Sequence, residues 1–357
     1  MKKIIILANS DVGLYKFRRE LLERFVKEYE VHLILPKGVF VDDMIHMGCV
    51  FHSIELCSRE TNPIHDLKLL KKYKSLIREI NPSVVFTYTI KPNVYGGIAC
   101  ASLGVPYIAN ITGLGTAVEN SGFLSMITTY LYKYALRKAQ KVFFQNQTNL
   151  EFMKKKKIVK DNYQLLPGSG VNLQQYHPLP YPNDDDIHFA FIARIMKEKG
   201  IDQYLEAAEY ISKKYPNTRF HVCGESSVEY KNILEHKYNN CVIYHGAVKD
   251  MVTIYEMISC TIHPTYYPEG MSNVLLESCA SARPIITTDR PGCKEIVDNG
   301  VNGFIVKERD SADLIEKIEQ FLNLTHNQKQ EMGLKGREKV EREFDRNIVI
   351  EEYMKEL

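Results

Sequence analysis

Short β-branched apolar runs alternate with longer amphipathic segments along most of this chain, and the alternation breaks once, near the middle. No other feature restricts the fold as much. KKIIILAN (2–9) reads as a strand and 15–29 as a helix. VHLILP (31–36) and VFHSI (50–54) read as strands before a helix over 64–80. VVFTY (84–88), YIANIT (107–112) and KVFFQN (141–146) continue the series, separated by helices over 94–103 and 123–138. Strands joined through helices pair in parallel, with helices on both faces of the sheet.

The break is LPGSGVNLQQYHPLPYPNDDD (166–186), which is rich in Pro and Gly and lacks helical periodicity, so it reads as a connector. Alternation then resumes. Strands are read at 187–193, 219–224, 242–246, 260–264 and 284–288, and helices at 201–214, from about 273, at 311–323 and at 346–356. The 357 residues are too many for one ordinary core and suit two domains of roughly 150–190 residues. The predicted architecture is α/β: a doubly wound domain over 1–167, a connector over 168–186 and a second doubly wound domain over 187–344. A last helix at about 345–357 is placed to pack back on the first domain. Ligands of such sheets bind outside the carboxyl ends of the strands.

Several function classes drop out on composition. Hydrophobic residues make up 45% and charged residues 25% of the chain, as in an ordinary globular protein. No apolar run reaches the ~18–20 residues that span a bilayer. MKKIIILANS opens with basic residues, but its apolar stretch meets Asn9, Ser10 and Asp11 too early for a signal peptide. The eight cysteines form no CxxC pair, which points to reduced thiols in a cytoplasmic protein. The run 184–186 (DDD) lies in the connector and reads as a solvated turn rather than a metal site. The first strand-to-helix turn, NSDVGLYKF (9–17), is not G-x-G-x-x-G, which disfavours dinucleotide binding.

Net charge is +2 but unevenly placed. Residues 1–177 hold 24 Lys+Arg against 14 Asp+Glu, a net of +10, and residues 178–357 hold 22 against 30, a net of −8. The first half therefore faces either something anionic or only solvent. Within it, Phe123, Met126, Ile127, Tyr130, Leu131 and Tyr134 recur at helical spacing beside Lys133, Arg137 and Lys138. Such a stripe serves either the domain core or an anionic membrane surface.

The stretch PTYYPEGMSNVLLE (264–277) carries the clearest chemistry. Ser272 is placed to cap a helix starting near Asn273. Amides at that helix start favour phosphate or sugar oxygens, and Gly270 lets the backbone approach them. Glu269 in the loop and Glu277 one turn into the helix can touch two ends of one ligand. Tyr266 and Tyr267 either stack on a ring or pack.

Glu269 and Glu277 within P-E-G-M-S-N-V-L-L-E-S resemble the EX7E signature of retaining glycosyltransferases of family 4. ARIMKEKG (193–200) is similar to the family's R-x4-K-G segment, with Arg194 and Lys199 in the matching positions. GSGVNLQQYHP (168–178) and TTDRPGCKEIVDNGVNGFIV (287–306) are similar to further family text, so the resemblance runs along essentially the whole chain. It implies the GT-B fold, two Rossmann-like domains facing across a cleft, and transfer of a sugar from a nucleotide-sugar donor. The two cations follow a strand end, where fixed positive charge can stabilise a departing diphosphate in place of Mg²⁺.

The resemblance also distributes roles. Arg194, Lys199 and Glu269 would be catalytic, and Arg194 and Lys199 would also hold the diphosphate. Gly270, Met271, Ser272 and Asn273 would hold the sugar through their amides, Glu277 the ribose, and Gly13 the donor phosphates. The acceptor side would be Lys91 and Asn93 in TIKPNVYGG (89–97), and Thr112 and Gly113 in NITGLGTAVEN (110–120), where many family members carry a histidine that is missing here. Gly115 in the same loop either admits a ligand or makes a turn. No metal and no cofactor are expected beyond the nucleotide-sugar co-substrate, with UDP as the nucleotide. The expected acceptor is a growing bacterial surface glycan, capsule or lipopolysaccharide, or one linked to polyprenyl diphosphate. The expected location is the cytoplasm, peripheral on the inner face of the plasma membrane, without nucleic acid. The competing readings are a nucleotide-sugar epimerase on the same fold, which acts without an acceptor, and a basic lipid- or nucleic-acid-binding protein without turnover.

Overall fold

The structure is a computed structural model and describes residues 1–56, 62–114, 123–183 and 185–357. The chain divides into two units, Met1–Ser169 with Asn347–Leu357, and Gly170–Arg346.

The first unit is a seven-stranded parallel sheet in the order β3-β2-β1-β4-β5-β6-β7. Its strands are β1 (Lys3–Leu7), β2 (Glu30–Leu35), β3 (Val50–Ser53), β4 (Val84–Tyr88), β5 (Tyr107–Ile111), β6 (Lys141–Phe144) and β7 (Tyr163–Leu165). β1, β4 and β5 are apolar almost throughout because both faces are covered. Helices Pro63–Ile80, Gly97–Leu103, Phe123–Leu136 and Gln147–Lys155 bury one face. The other face is covered by Asp11–Phe25, Val41–His46 and the terminal helix Arg346–Met354. Tyr353 of that last helix packs on Phe86 and Phe143 at ring separations of 5.6 and 4.9 Å and donates its hydroxyl to Asn110 Oδ1.

The second unit is a six-stranded parallel sheet in the order β10-β9-β8-β11-β12-β13. It comprises β8 (Ile187–Ile192), β9 (Thr218–Cys223), β10 (Val242–Gly246), β11 (Cys260–His263), β12 (Ile285–Thr288) and β13 (Gly303–Val306). Counted within the unit, this is the 3-2-1-4-5-6 order of a doubly wound dinucleotide-type sheet. In both units the strand order reverses beside the first strand, between β1 and β4 and between β8 and β11. Loops leaving those two strands part to opposite faces there and open a crevice.

Two expectations change. The first helix starts at Asp11, not 15, because Ser10 Oγ accepts from the Val12 amide and caps it, so Gly13 lies in the first helical turn. The 168–186 connector is not a separate linker. From Gly170 it is built into the second unit, where Val171 pairs with Asp345 and donates to the Phe344 carbonyl, and Tyr176 and Leu179 join the core. In the DDD run, Asp184 lies outside the described residues, and Asp186 pairs with Arg219 at 2.7 Å.

Candidate active site

The loop after β8 and the loop after β11 meet at the crevice of the second sheet. Gly224 adopts φ +147, and a Cβ there would lie 1.8 Å from the Ala193 carbonyl oxygen, so the start of the first loop needs glycine beside it. The loop then makes a 3-10 turn at Lys197–Lys199 and enters helix Ile201–Lys214 through Gly200, whose φ is +81. A Cβ on Gly200 would lie 2.1 Å from the Pro264 carbonyl. The Glu198 carbonyl accepts from the Tyr266 amide at 2.9 Å and from Thr265 Oγ1 at 3.3 Å. These contacts stitch the two loops together through the main chain.

That seam sets the charges. Lys199 is buried, and its ammonium is paired with Glu269 Oε1. The Lys199 ammonium also lies 4.9 Å from the Tyr267 ring centre, and the exposed Arg194 guanidinium lies 5.8 Å from the same ring. Both are within cation–π range. The structure therefore brings Arg194 and Lys199 to one aromatic ring, with Glu269 held on Lys199. Tyr266 turns inward and carries Arg309 over its ring at 4.3 Å. Beneath the pair, the buried His263 points Nε2 at Glu269 Oε1 from 3.9 Å, and neither ring nitrogen has a hydrogen-bond partner. Burial, with Lys199 adding to it, holds the His263 pKa down to about 3, so the ring is neutral.

Gly270, Met271 and Ser272 lead into helix Asn273–Ala280. Ser272 occupies the N-cap position, but its side chain makes no cap bond, contrary to the sequence expectation. Its amide is instead committed to the Gly292 carbonyl at 2.8 Å. Gly292 has φ +88 and would place a Cβ 2.7 Å from the Gly270 oxygen, which presses the 290–293 turn onto this loop. Helix geometry leaves the first-turn amides without intrahelical acceptors, and with no side-chain cap that end suits an anion. One turn on, Tyr255 Oη donates to Glu277 Oε2 at 3.2 Å. Tyr176 stands edge-on to Tyr255 at 5.9 Å. Burial first, and then the Glu277 charge, raises the pKa of both phenols, so they remain donors to that carboxylate.

In the first unit the expected residues differ in what they are free to do. Gly13 is exposed, and a Cβ there would meet nothing within 4 Å. Lys91 is paired with Asp66 at 2.9 Å, and Tyr95 donates to the other Asp66 oxygen at 2.8 Å. Lys91, Lys68, Lys72 and His65 line a cavity of about 400 Å³. Asn93 is buried, and its side chain is committed inside the fold. Its Oδ1 accepts from Thr87 Oγ1 at 2.6 Å, and its Nδ2 donates to the Asn110 carbonyl at 2.8 Å. Thr112 and Gly113 follow β5, and Gly113 has φ +136, a value that demands glycine. Gly115 lies outside the described residues.

Sequence reasoning misses Thr89, at the end of β4. It is a β-branched residue at φ +71 whose hydroxyl is buried without a partner. Such strain costs about 1–3 kcal/mol and gathers at functional sites. His263, Tyr176 and Tyr255 are missed as well, because their roles arise from packing rather than spacing. Among the described residues, no group of three or more His, Cys, Asp or Glu is arranged to hold a metal ion.

Residues 177–339 match the family of glycosyl transferases group 1, and residues 3–146 match the glycosyl transferase 4-like family. The chain is a glycosyltransferase that joins a 4-like domain to a group 1 domain. Curated relatives agree with this along the whole length. The N,N'-diacetylbacillosaminyl-diphospho-undecaprenol alpha-1,3-N-acetylgalactosaminyltransferase of Campylobacter jejuni is 24% identical, the match covering 99% of this chain and 97% of that one. The capsular polysaccharide biosynthesis glycosyltransferase CapM of Staphylococcus aureus is 26% identical over 98% of this glycosyltransferase and 94% of CapM. Among solved structures, Anabaena HepE in complex with UDP and glucose has a TM-score of 0.81 at 16% identity, covering 100% of this chain and 99% of that one. A glycosyltransferase from Rickettsia africae also has a TM-score of 0.81, at 18% identity over 99% and 97%. The fold is GT-B.

Proposed function

We propose that this glycosyltransferase moves a sugar, with retention of anomeric configuration, from a UDP-sugar to a lipid-diphosphate-linked or growing bacterial surface glycan. The observation that carries the reading is the meeting of Arg194 and Lys199 on the Tyr267 ring, with Glu269 paired to Lys199, at the switch point of the second sheet. The relatives' named substrates support the acceptor class: one acts on a diphospho-undecaprenol-linked sugar, and another serves capsule synthesis. UDP bound to a neighbour of the same fold supports the nucleotide.

Arg194 and Lys199 take the donor diphosphate, and Glu277 takes the ribose diol. Glu269, with the amides of Gly270, Met271 and Asn273, takes the transferred sugar, while the Ser272 amide stays on the Gly292 carbonyl, and Gly13 is assigned to the donor phosphates. On the acceptor side Lys91, Thr112 and Gly113 face the incoming glycan, while Asn93 positions β4 and β5 from behind. The anomeric carbon–phosphate oxygen bond breaks on the face where the acceptor oxygen bonds, and the departing phosphate takes the acceptor proton. Charge growing on the diphosphate is met by two fixed cations, a contribution a metal makes in other sites. No metal or cofactor is required in this reading.

The test is incubation with a panel of nucleotide sugars, with and without an undecaprenyl-diphosphate-linked sugar, in EDTA. Product mass gives the sugar, and proton coupling at the new anomeric centre gives the stereochemistry. Retained α linkage in EDTA supports the reading. Inversion, or activity restored only by Mg²⁺, contradicts it. Epimerised donor without any acceptor assigns the chain to the competing class.

A further inference from the structure

Helices Pro63–Ile80 and Phe123–Leu136 lie on the same face of the first sheet, contributing to one buried core. They follow β3 and β5 of an all-parallel sheet, so both of their first turns lie at its carboxyl edge. At that edge the side chains are of the wrong kind for water. Met126 is 62% exposed, Tyr130 70% and Ile127 38%, with Ile64 at 66% and Leu67 at 52% on the other helix. Thr128, Tyr132, Ala135 and Leu136 bury the inner side of the 123–136 helix, so the outward residues are not its core stripe. Met126, Tyr130, Lys133, Tyr134 and Arg137 recur every three or four positions along one outer face.

Charge decides what such a face meets. No Asp or Glu occurs between positions 121 and 150, whereas Lys133, Arg137 and Lys138 are exposed beside the apolar residues. On the neighbouring helix Lys68, Lys71 and Lys72 are exposed, and the acid in its first turn, Asp66, is already neutralised by Lys91. Exposed apolar side chains rimmed by cations, with aromatic rings among them, suit an interface with anionic headgroups.

We infer that this outer face of the 123–136 helix docks on an anionic bilayer surface. Met126, Ile127 and Tyr130 enter the headgroup layer, and Lys133, Arg137 and Lys138 lie against lipid phosphates. The inference gives the proposed lipid-linked acceptor a route to the site, but it rests on exposure and charge and holds for any transferred sugar.

The full chain is tested on vesicles of phosphatidylcholine with and without phosphatidylglycerol. It should sediment with the anionic vesicles and come off as salt rises. Replacing Lys133, Arg137 and Lys138 together with Gln should weaken that partition on the order of a hundredfold. Met126→Ser with Ile127→Ser should abolish it, and both variants should turn over a water-soluble acceptor analogue as the wild type does. The chain has no Trp, so Tyr130→Trp introduces a single indole that reports its own environment: its emission should shift to the blue on anionic vesicles only. A wild-type chain that ignores anionic vesicles, or an indole emission that does not move on them, overturns the inference. Binding of an acidic protein in place of lipid also overturns it. Loss of transfer with intact vesicle binding leaves the docking face standing and counts against the proposed function alone.

Discussion

His263 Nε2 stands 3.9 Å from the same Glu269 oxygen that the Lys199 ammonium holds. One carboxylate oxygen thus has a cation on it and a neutral imidazole within reach. His263 stays neutral because burial and Lys199 hold its pKa down to about 3. His221 is held at about 3 too, by burial and by the flanking His188 and His245, with which it forms a hydrogen-bonded ladder across β8, β9 and β10 at 2.9 Å per step. A folded-state pKa below the unfolded value means that the unfolded chain binds more protons in between, so stability rises with pH there. The stabilisation is fully present above about pH 6.5 and is lost as pH falls toward 3. Each histidine contributes a slope of about 1.4 kcal/mol per pH unit at most. Urea midpoints from pH 7 to 4 should fall, and His263→Leu should flatten the fall. A flat wild-type profile would refute this account.

Lys199 can be separated from its structural role. Its ammonium is fixed by Glu269 and Tyr267, whereas its main chain is fixed by Gly200 against Pro264. Lys199→Met therefore keeps the seam but removes a preorganised cation, a loss that costs about 10²–10³ in turnover where a charged transition state depends on it. Donor binding should weaken less than turnover. Near-normal kcat in a folded Lys199→Met protein would remove Lys199 from the leaving-group site.

Glu277 is aimed by neighbours rather than by its own helix. Tyr255→Phe deletes one donor to the carboxylate and changes no charge. A hydrogen bond to a charged group is worth about 1.5–3 kcal/mol, so donor KM should rise at least roughly tenfold while kcat changes little. A kcat defect at unchanged KM would mean that Glu277 acts at the reacting centre and not at the far end of the donor.

The parts of the fold visible in sequence are those in which one apolar run makes one buried strand. β1, β4, β5, β8 and β12 are of this kind. β7 is three residues of YQL, and β13 begins on the glycine of GFIV, so neither has enough apolar length to show in periodicity. Helices of five or six residues, such as Val228–Asn232 and Val252–Met257, span too few turns for a 3.6-residue pattern. The site divides similarly. Arg194, Lys199 and Glu269 were legible because they lie in two short motifs. Asn93 read as a ligand residue because a loop Asn after a strand resembles one, yet it is spent on Thr87 and Asn110, on two strands that only the folded sheet brings to it. The φ of Thr89 leaves no trace in the residue type at all.

Arg283 connects stability to the proposed donor site. It is fully buried, and among the described residues its guanidinium donates only to main-chain carbonyls, among them Tyr255 from Nε at 2.6 Å, Pro180 from Nη2 at 2.8 Å and Leu179 from Nη1 at 3.1 Å. Burial lowers its pKa to about 10, which still leaves it charged at neutral pH. The same Tyr255 whose carbonyl it holds presents its hydroxyl to Glu277. Arg283→Met strands several buried carbonyls, at about 1–3 kcal/mol for each one left unpaired, and should lower Tm by at least roughly 6 °C in a domain of this size. Arg283→Lys can satisfy only part of the set because a single ammonium lacks the planar fork. It should therefore fold, melt between the wild type and the Met variant, and show a raised donor KM through a displaced Tyr255. An Arg283→Lys protein with a lowered Tm and wild-type donor KM would show that the carbonyl cage supports the fold without positioning Glu277.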